Sequence, residues 1–496
     1  MRNAFTNEEC AATIGRWLVR LFVLGGALLF FHQPLLAQQC TPFSVPQQRF
    51  GFNFNLDHGQ TIEQFDVAQL DSDWYLDYTF QDTPKQPANL RFAQVIRANI
   101  WQNQNYTATV SSAVSHNRGA LWILGNEPDR YGQDGLLPEE FAAFYHDLYS
   151  VIKGVDATSQ VAVGAIIQAT PLRLHYLSLV LEAYQSRYGQ PLPTDVWTIH
   201  AFVLRECNTA GCWGASIPPG MEAFSNEGML YEVEDHGKIE IVQEHVTNFR
   251  QWMANHGYQN KPLLITEYGI LFPPNLGYPY ITVRHFMEDS FDLFLNSKDS
   301  QIGYAADDGR LVQAWSWFSL NTPPYDPATQ IGFNGNLFDP VNKTITPLGQ
   351  DFANYVNALP ASGIDLGIRQ ASIQPALQVL TATQPISVSL NVRNQGPQRA
   401  KEIVVDVRLQ TPGSVQSTLL ESRSFVNLAA GCADQLQWSL DLRSHLTQIG
   451  EYRLTFVVRS EGTIQELNGI DNQATQWLLV WPTAEIESVY LPVVQR

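Results

Sequence analysis

Leu121-Trp122-Ile123-Leu124-Gly125-Asn126-Glu127-Pro128 and Pro262-Leu263-Leu264-Ile265-Thr266-Glu267-Tyr268-Gly269 carry the reading of the fold. In each, a short apolar run stops at a glutamate flanked by turn formers. Such a run predicts a strand covered on both faces, and a carboxylate at its C-terminal end sits where a parallel α/β barrel places its chemistry.

Working outward, the chain from Arg49 to Leu359 alternates strand-like and helix-like segments. The strand candidates are Arg49 to Leu56, Trp74 to Tyr78, Leu90 to Ile96, Ala120 to Leu124, Gln160 to Ile166, Val196 to His200, Pro262 to Thr266 and Leu311 to Ser316. Eight such units predict a (β/α)8 TIM barrel over residues 49–359, with Glu127 closing the fourth strand and Glu267 the seventh. Pro138-Glu139-Glu140 opens a helix whose apolar positions Phe141, Phe144, Leu148 and Ile152 share one face, and Thr346-Pro347 opens the last helix. Val203 to Glu234 is a long irregular insertion after the sixth strand, of the kind that forms lids and binding walls. Within it, Trp213 is a candidate for stacking on a ligand or for plugging the loop from beneath.

After Leu359-Pro360-Ala361-Ser362-Gly363 the pattern changes from alternation to strands that follow strands. Ile386 to Val392, Glu402 to Leu409, Gln435 to Leu442, Tyr452 to Val458 and Thr475 to Trp481 predict an all-β, Ig-like sandwich over residues 364–485.

The 496 residues carry only 16% charged side chains but a formal net charge of -18. No basic stripe is available to neutralise a phosphate backbone, which argues against a nucleic-acid partner. Twelve Trp and nineteen Tyr suit a protein that stacks rings on neutral ligands, sugars among them. Arg16 and Arg20, the apolar run Leu21 to Phe31, and Leu35-Leu36-Ala37 have the layout of a secretory signal over residues 1–37, with an uncleaved anchor as the alternative. Residues Gln38 and Gln39 before Cys40 do not match a lipid-attachment site. In the oxidising compartment that export implies, Cys207 and Cys212 are placed to close a local disulfide; nothing in the sequence brings Cys40 to Cys432. His236, His245 and His256 read as solvated helix positions.

Two glutamates across one barrel mouth predict glycosidic-bond cleavage, in which one carboxyl protonates the leaving oxygen and the other meets the oxocarbenium-like carbon. Burial against neighbours such as Trp122 would favour a protonated Glu127. No metal and no cofactor is expected: there is no His-Glu-x-x-His helix, no second cysteine pair, no Gly-x-Ser-x-Gly elbow and no phosphate loop.

The stretches from Trp122 to Asp129 and from Ile265 to Gly269 resemble the acid/base and nucleophile motifs of clan A glycoside hydrolases, which are retaining (β/α)8-barrel enzymes. Together with Trp74 to Tyr78, they resemble in particular the endo-β-1,3-glucanases of the alkali-sensitive-linkage type. The resemblance implies Glu127 as acid/base, Glu267 as nucleophile, Asn126 as a contact to the sugar 2-hydroxyl, Trp315 as a stacking platform and His200 near the nucleophile. It also implies Tyr268, next to the nucleophile, as part of the substrate site. Many members carry His-x-Tyr where this chain has His200-Ala201-Phe202, so a phenol is missing at that place. Leu390 to Gly396 and Asp471-Asn472-Gln473-Ala474 resemble the bacterial adhesion-related domain with an Ig-like fold, a spacer or a binder of cell-wall or surface glycan. The expected function is a secreted or cell-surface retaining hydrolase of β-linked neutral polysaccharide or oligosaccharide. The alternatives are a non-catalytic glycan-binding or adhesion protein on the same barrel, and transglycosylation by the same residues.

Overall fold

The computed structural model describes residues 39–40, 45–56, 59–208, 213–326, 328–329, 332–360, 363–401, 403–425, 428–461 and 464–482. The expected signal segment 1–37 and Cys212 lie outside the described residues. Among the described residues, no helix is long and apolar enough to cross a membrane.

Eight strands form the barrel: β1 Phe50–Asn53, β2 Trp74–Leu76, β3 in two pieces at Arg91–Phe92 and Gln94–Ile96, β4 Leu121–Asn126, β5 Gln160–Ile166, β6 Val196–His200, β7 Leu263–Tyr268 and β8 Ala314–Trp317. Every pairing is parallel, and the order starts on one piece of β3, runs through β2, β1, β8, β7, β6, β5 and β4, and ends on the other piece. The sheet therefore closes on itself through β3. Alternation along the strands divides two apolar layers. Trp74, Leu76, Val95, Ile123, Ala162, Val196, Leu264 and Ala314 pack together as one cluster inside the barrel. Trp122, Leu124, Trp197, Ile199, Leu263, Ile265, Trp315 and Trp317 face the surrounding helices. The helix Pro138–Val155 buries Phe141, Phe144, Leu148 and Ile152, the face expected from its spacing, and the side chain of Thr346 caps the helix Pro347–Ala358 by accepting from the Gly349 N–H.

Closure between the first and last strands is reinforced by a buried ion pair. Arg49, just before β1, donates from Nη1 and Nη2 to the two Asp307 oxygens, each at 2.8 Å, and from Nη1 to the Gln313 carbonyl before β8. The next residue, Asp308, accepts from Arg393 at 2.7 Å and lies 3.3 Å from Arg369, both in the C-terminal domain. The sandwich thus docks at the end of the barrel where the strands begin, away from Glu127 and Glu267.

The C-terminal domain is two antiparallel-rich sheets around one core. The strands are β9 Leu366–Gln374, β10 Leu377–Val379, β11 Ile386–Asn394, β12 Ile403–Gln410, β13 Ser417–Phe425, β14 Cys432–Leu440, β15 Gly450–Ser460 and β16 Gln473–Trp481. One sheet runs β14, β11, β9, and the other β10, β16, β15, β12, β13. The strands β9, β10 and β13 were not expected from sequence; β13 is largely exposed and lacks an apolar face. Beyond the expectation, Gln39–Cys40 adds to the edge of β14 with Cys40 opposite Cys432, and Cys432 is disulfide-bonded. Gln39–Cys40 thus reaches the C-terminal domain.

Replacing Arg49 by Met strands Asp307 without its bidentate partner. Unfolding by denaturant should show a loss of about 3–5 kcal/mol, the cost of breaking a buried pair by removing one member.

Candidate active site

Four strand ends build the site. Glu127 follows β4 with φ 46°, in the left-handed region and not in the extended conformation that a residue before proline favours, so the chain turns at the carboxylate itself. Its N–H is held by the Ala165 carbonyl of β5 at 2.9 Å. On β7 the register against both neighbours shifts between Ile265 and Tyr268. With Leu264 inside and Ile265 outside, regular alternation would turn Glu267 toward the helices; the irregularity brings it inward and leaves Tyr268 outside. Gly269 lets the exit of β7 press against β8, where a Cβ would lie 2.6 Å from the Phe318 carbonyl oxygen.

Glu127 and Glu267 meet. One donor atom from each of Glu127, His200 and Glu267 lies within 4.8 Å of the other two, and the glutamates are 2% and 9% exposed. His200 at the end of β6 bridges them, with Nδ1 3.1 Å from Glu127 Oε1 and Nε2 3.7 Å from Glu267 Oε2. Arg130 Nη1 donates to Glu127 Oε2 at 3.0 Å. The Tyr78 hydroxyl, just past β2, donates to Glu267 Oε2 at 2.7 Å. Among the described residues, hydrogen-bond partners thus stand at both Glu127 oxygens and at Glu267 Oε2.

A cavity of about 490 Å³ opens beside the pair. Arg97, Arg130 and Gln133 form a polar wall, while Phe202, Trp213, Phe272, Phe318 and Phe333 supply aromatic surface. Asn126, Trp213, Glu127 and Glu267 of the expected site line this cavity.

Three expectations need correction. Trp315 is fully buried in the middle of β8 against Phe50, Phe291 and Phe294 on the helix side, so it cannot be a platform; Phe318, just past the strand, is the β8 aromatic at the cavity. Tyr268 is likewise fully buried outside the barrel, packed on Phe294 and Trp317, and does not line the cavity. His200 stands beside Glu267, where it was expected, but it touches the two carboxylates and does not line the cavity, so it is not placed as a substrate contact. Sequence reasoning missed Tyr78, Arg130 and Phe318. A phenol reaches Glu267 from the exit of β2, a contact visible only in three dimensions.

The charge states also differ from expectation. Burial pushes Glu127 up, but the His200 hydrogen bond, the His200 charge and Arg130 outweigh it and hold Glu127 below the usual range. Burial and the neighbouring Glu127 raise Glu267 against the opposing pull of His200. Burial lowers His200, yet the two carboxylates more than reverse this and raise it. Trp122 faces the helix layer and plays no part in desolvating Glu127.

The long insertion is anchored from below. Arg173, fully buried, donates to Asp129, Glu206 and the Ser216 carbonyl, tying the turn after Glu127 to the start and the middle of the loop. Cys207 in that loop is disulfide-bonded. His236 and His245 are buried, contrary to the solvated reading. His236 donates from Nδ1 to the Val203 carbonyl and accepts at Nε2 from the Leu271 N–H, each at 2.9 Å, joining the exits of β6 and β7.

Several solved structures are similar to this chain. A GH128 subgroup II endo-β-1,3-glucanase from Pseudomonas viridiflava shares 14% identity over 63% of this chain and 98% of its own, with a TM-score of 0.39. A GH128 subgroup I endo-β-1,3-glucanase from Amycolatopsis mediterranei, in complex with laminaritriose, shares 12% identity over 62% and 99%, with a TM-score of 0.40. The CARDB domain of a Pyrococcus furiosus protein shares 26% identity over 24% of this chain and 96% of its own, with a TM-score of 0.19. The CARDB family model matches residues 364–476. No curated protein matches the chain.

Burial lowers the pKa of both His236 and His245 to about 4 from 6.5. The unfolded chain then takes up protons that the folded chain refuses, so their stabilisation is complete above pH 6.5 and drains away as pH falls toward 4. His236→Gln should flatten the decline of Tm with acid over that window; an unchanged slope would exclude His236 as a contributor.

Proposed function

We propose that the chain is a retaining glycoside hydrolase that acts on a β-linked neutral polysaccharide or oligosaccharide. The observation that carries the reading is the approach of Glu127 and Glu267 oxygens to within 4.8 Å beside an aromatic-lined cavity. Inverting enzymes need about 6.5–9.5 Å for an intervening water, whereas retaining ones hold their carboxyl groups about 5–5.5 Å apart.

Glu267 attacks the anomeric carbon while Glu127 gives its proton to the departing oxygen, which leaves a glycosyl ester on Glu267. Glu127 then takes a proton from water, and the resulting hydroxide equivalent displaces Glu267. The Tyr78 O–H orients Glu267 and balances its charge. Before the first step a proton must lie on Glu127 and not on Glu267, and His200 Nδ1, 3.1 Å from Glu127 Oε1, is within hydrogen-bond distance of that carboxyl. Planar aromatic walls suit the apolar faces of sugar rings. Export is part of the proposal: the disulfide-bonded Cys207 and Cys432 suit an oxidising compartment.

Purified protein offered a panel of β-glucans, mannans and xylans should release sugar whose first-formed anomer keeps the β configuration. Glu127→Gln should lower kcat by about 10²–10⁴-fold, and Glu267→Gln should abolish turnover. Unchanged sugar release from both variants, or binding without cleavage by the wild type across the panel, rejects the assignment. Tyr78→Phe removes one hydrogen bond to a charged group and should cost roughly tenfold to a hundredfold in kcat/KM while the fold persists.

A further inference from the structure

We propose that Arg130 is a positioning residue that caps the proton-donating oxygen of Glu127 in the empty site and is displaced by the incoming substrate. The inference rests on the reading of Glu127 as proton donor. Both Glu127 oxygens are taken: Oε1 faces His200 and Oε2 faces Arg130. The His200 side chain is sealed inside the barrel, whereas that of Arg130 is 34% exposed and lines the cavity. Oε2 is therefore the oxygen on the cavity side. A glycosidic oxygen must come within about 2.6–3.2 Å of a donating carboxyl, and the Arg130 guanidinium stands in that place.

Among the described residues of this wall, the guanidinium is also the cation that is free to go. Arg97 is held by Asp134 at 2.7 Å and by Gln133 at 2.9 Å. Among the described residues, the Arg130 side chain has Glu127 as its hydrogen-bond partner. The backbone around it is tied within its turn, since the Arg130 N–H donates to the Glu127 carbonyl, the Gln133 N–H to the Arg130 carbonyl and the Tyr131 N–H to Ser216 Oγ. Departure is thus a swing of one side chain with no opening of the loop. Once it leaves, the carboxyl loses a cation at hydrogen-bond distance and becomes easier to protonate. In the swung position the five guanidinium N–H groups can donate to hydroxyls on the leaving-group side of the glycan.

The groups that face Glu127 are His200 from β6, Glu267 from β7, Tyr78 from the exit of β2, and Arg130 and Asp129 from its own turn, with Asp129 already paired to Arg173. Only Arg130 changes in the test variants. Two readouts apply to wild type, Arg130→Met and Arg130→Lys.

The first needs no substrate: a pH titration of carboxyl-¹³C-glutamate protein by NMR, with the Glu127 signal identified by its loss in Glu127→Gln. The Glu127 midpoint should rise by about one to three pH units in Arg130→Met and stay near the wild-type value in Arg130→Lys. The second is the pH profile of kcat/KM on the β-glucan, mannan or xylan that the wild type cleaves. Its alkaline limb, where the donor loses its proton in the free enzyme, should move up in Arg130→Met by the same amount. A merely structural arginine would lower kcat/KM at every pH and leave both midpoints in place, and that result overturns the proposal. If Arg130→Met fails to fold, Arg130→Gln takes its place. Full activity of Glu127→Gln would instead overturn the reading on which the proposal rests, so the two failures are separable.

Discussion

Two carboxylates and an imidazole share a volume almost closed to water, and the mouth of the barrel is arranged around balancing their charge. Like charges this close cannot both be comfortable in a poorly solvated place. The compensation comes from different directions: Tyr78 from β2, Arg130 from the turn after β4 and His200 from β6, with Glu267 itself on β7. Each contributor sits on a different strand end, so the balance holds only while the barrel stays closed. That gives the Arg49–Asp307 pair and the His236 bridge between the exits of β6 and β7 a functional weight, although neither touches the cavity.

Much of the barrel was legible because its strands announce themselves as apolar runs. Gln160–Ile166 and Val196–His200 appear with the expected limits, and the carboxylates at the ends of β4 and β7 stand at one mouth. What could not be read is which way each residue faces. A strand shows a period of two, but a register shift inverts the parity, and nothing in Leu263-Leu264-Ile265-Thr266-Glu267-Tyr268 marks where the shift falls. The same ambiguity put Trp315 at the cavity, where the structure has Phe318, since both are aromatic residues near the end of β8. The histidines misled for a different reason: burial of an imidazole between a backbone carbonyl and a backbone N–H, as at His236, or against a tyrosine hydroxyl, as at His245, has no signature in the chain.

The sandwich was legible where both sheets contribute inward-facing residues, as in β11, β12, β15 and β16. It was silent at β13, whose side chains are mostly exposed and whose pairing with β12 is a backbone matter. The addition of Gln39–Cys40 to β14 depends on a partner hundreds of residues away, which local pattern cannot supply.

The cavity wall is divided in a way that bears on how a glycan would lie in it. Arg97, Arg130 and Gln133 line the Glu127 side, and the aromatic rings of Phe202, Phe272, Phe318 and Phe333 supply apolar surface elsewhere. A sugar ring offers C–H groups on its faces and hydroxyls around its edge, so rings stack on the first and N–H donors meet the second. Phe202 brings no donor to the wall, and Tyr78 places one directly on Glu267. The polar chemistry is thereby gathered at the carboxylates and at one wall, and the remaining surface is left to shape.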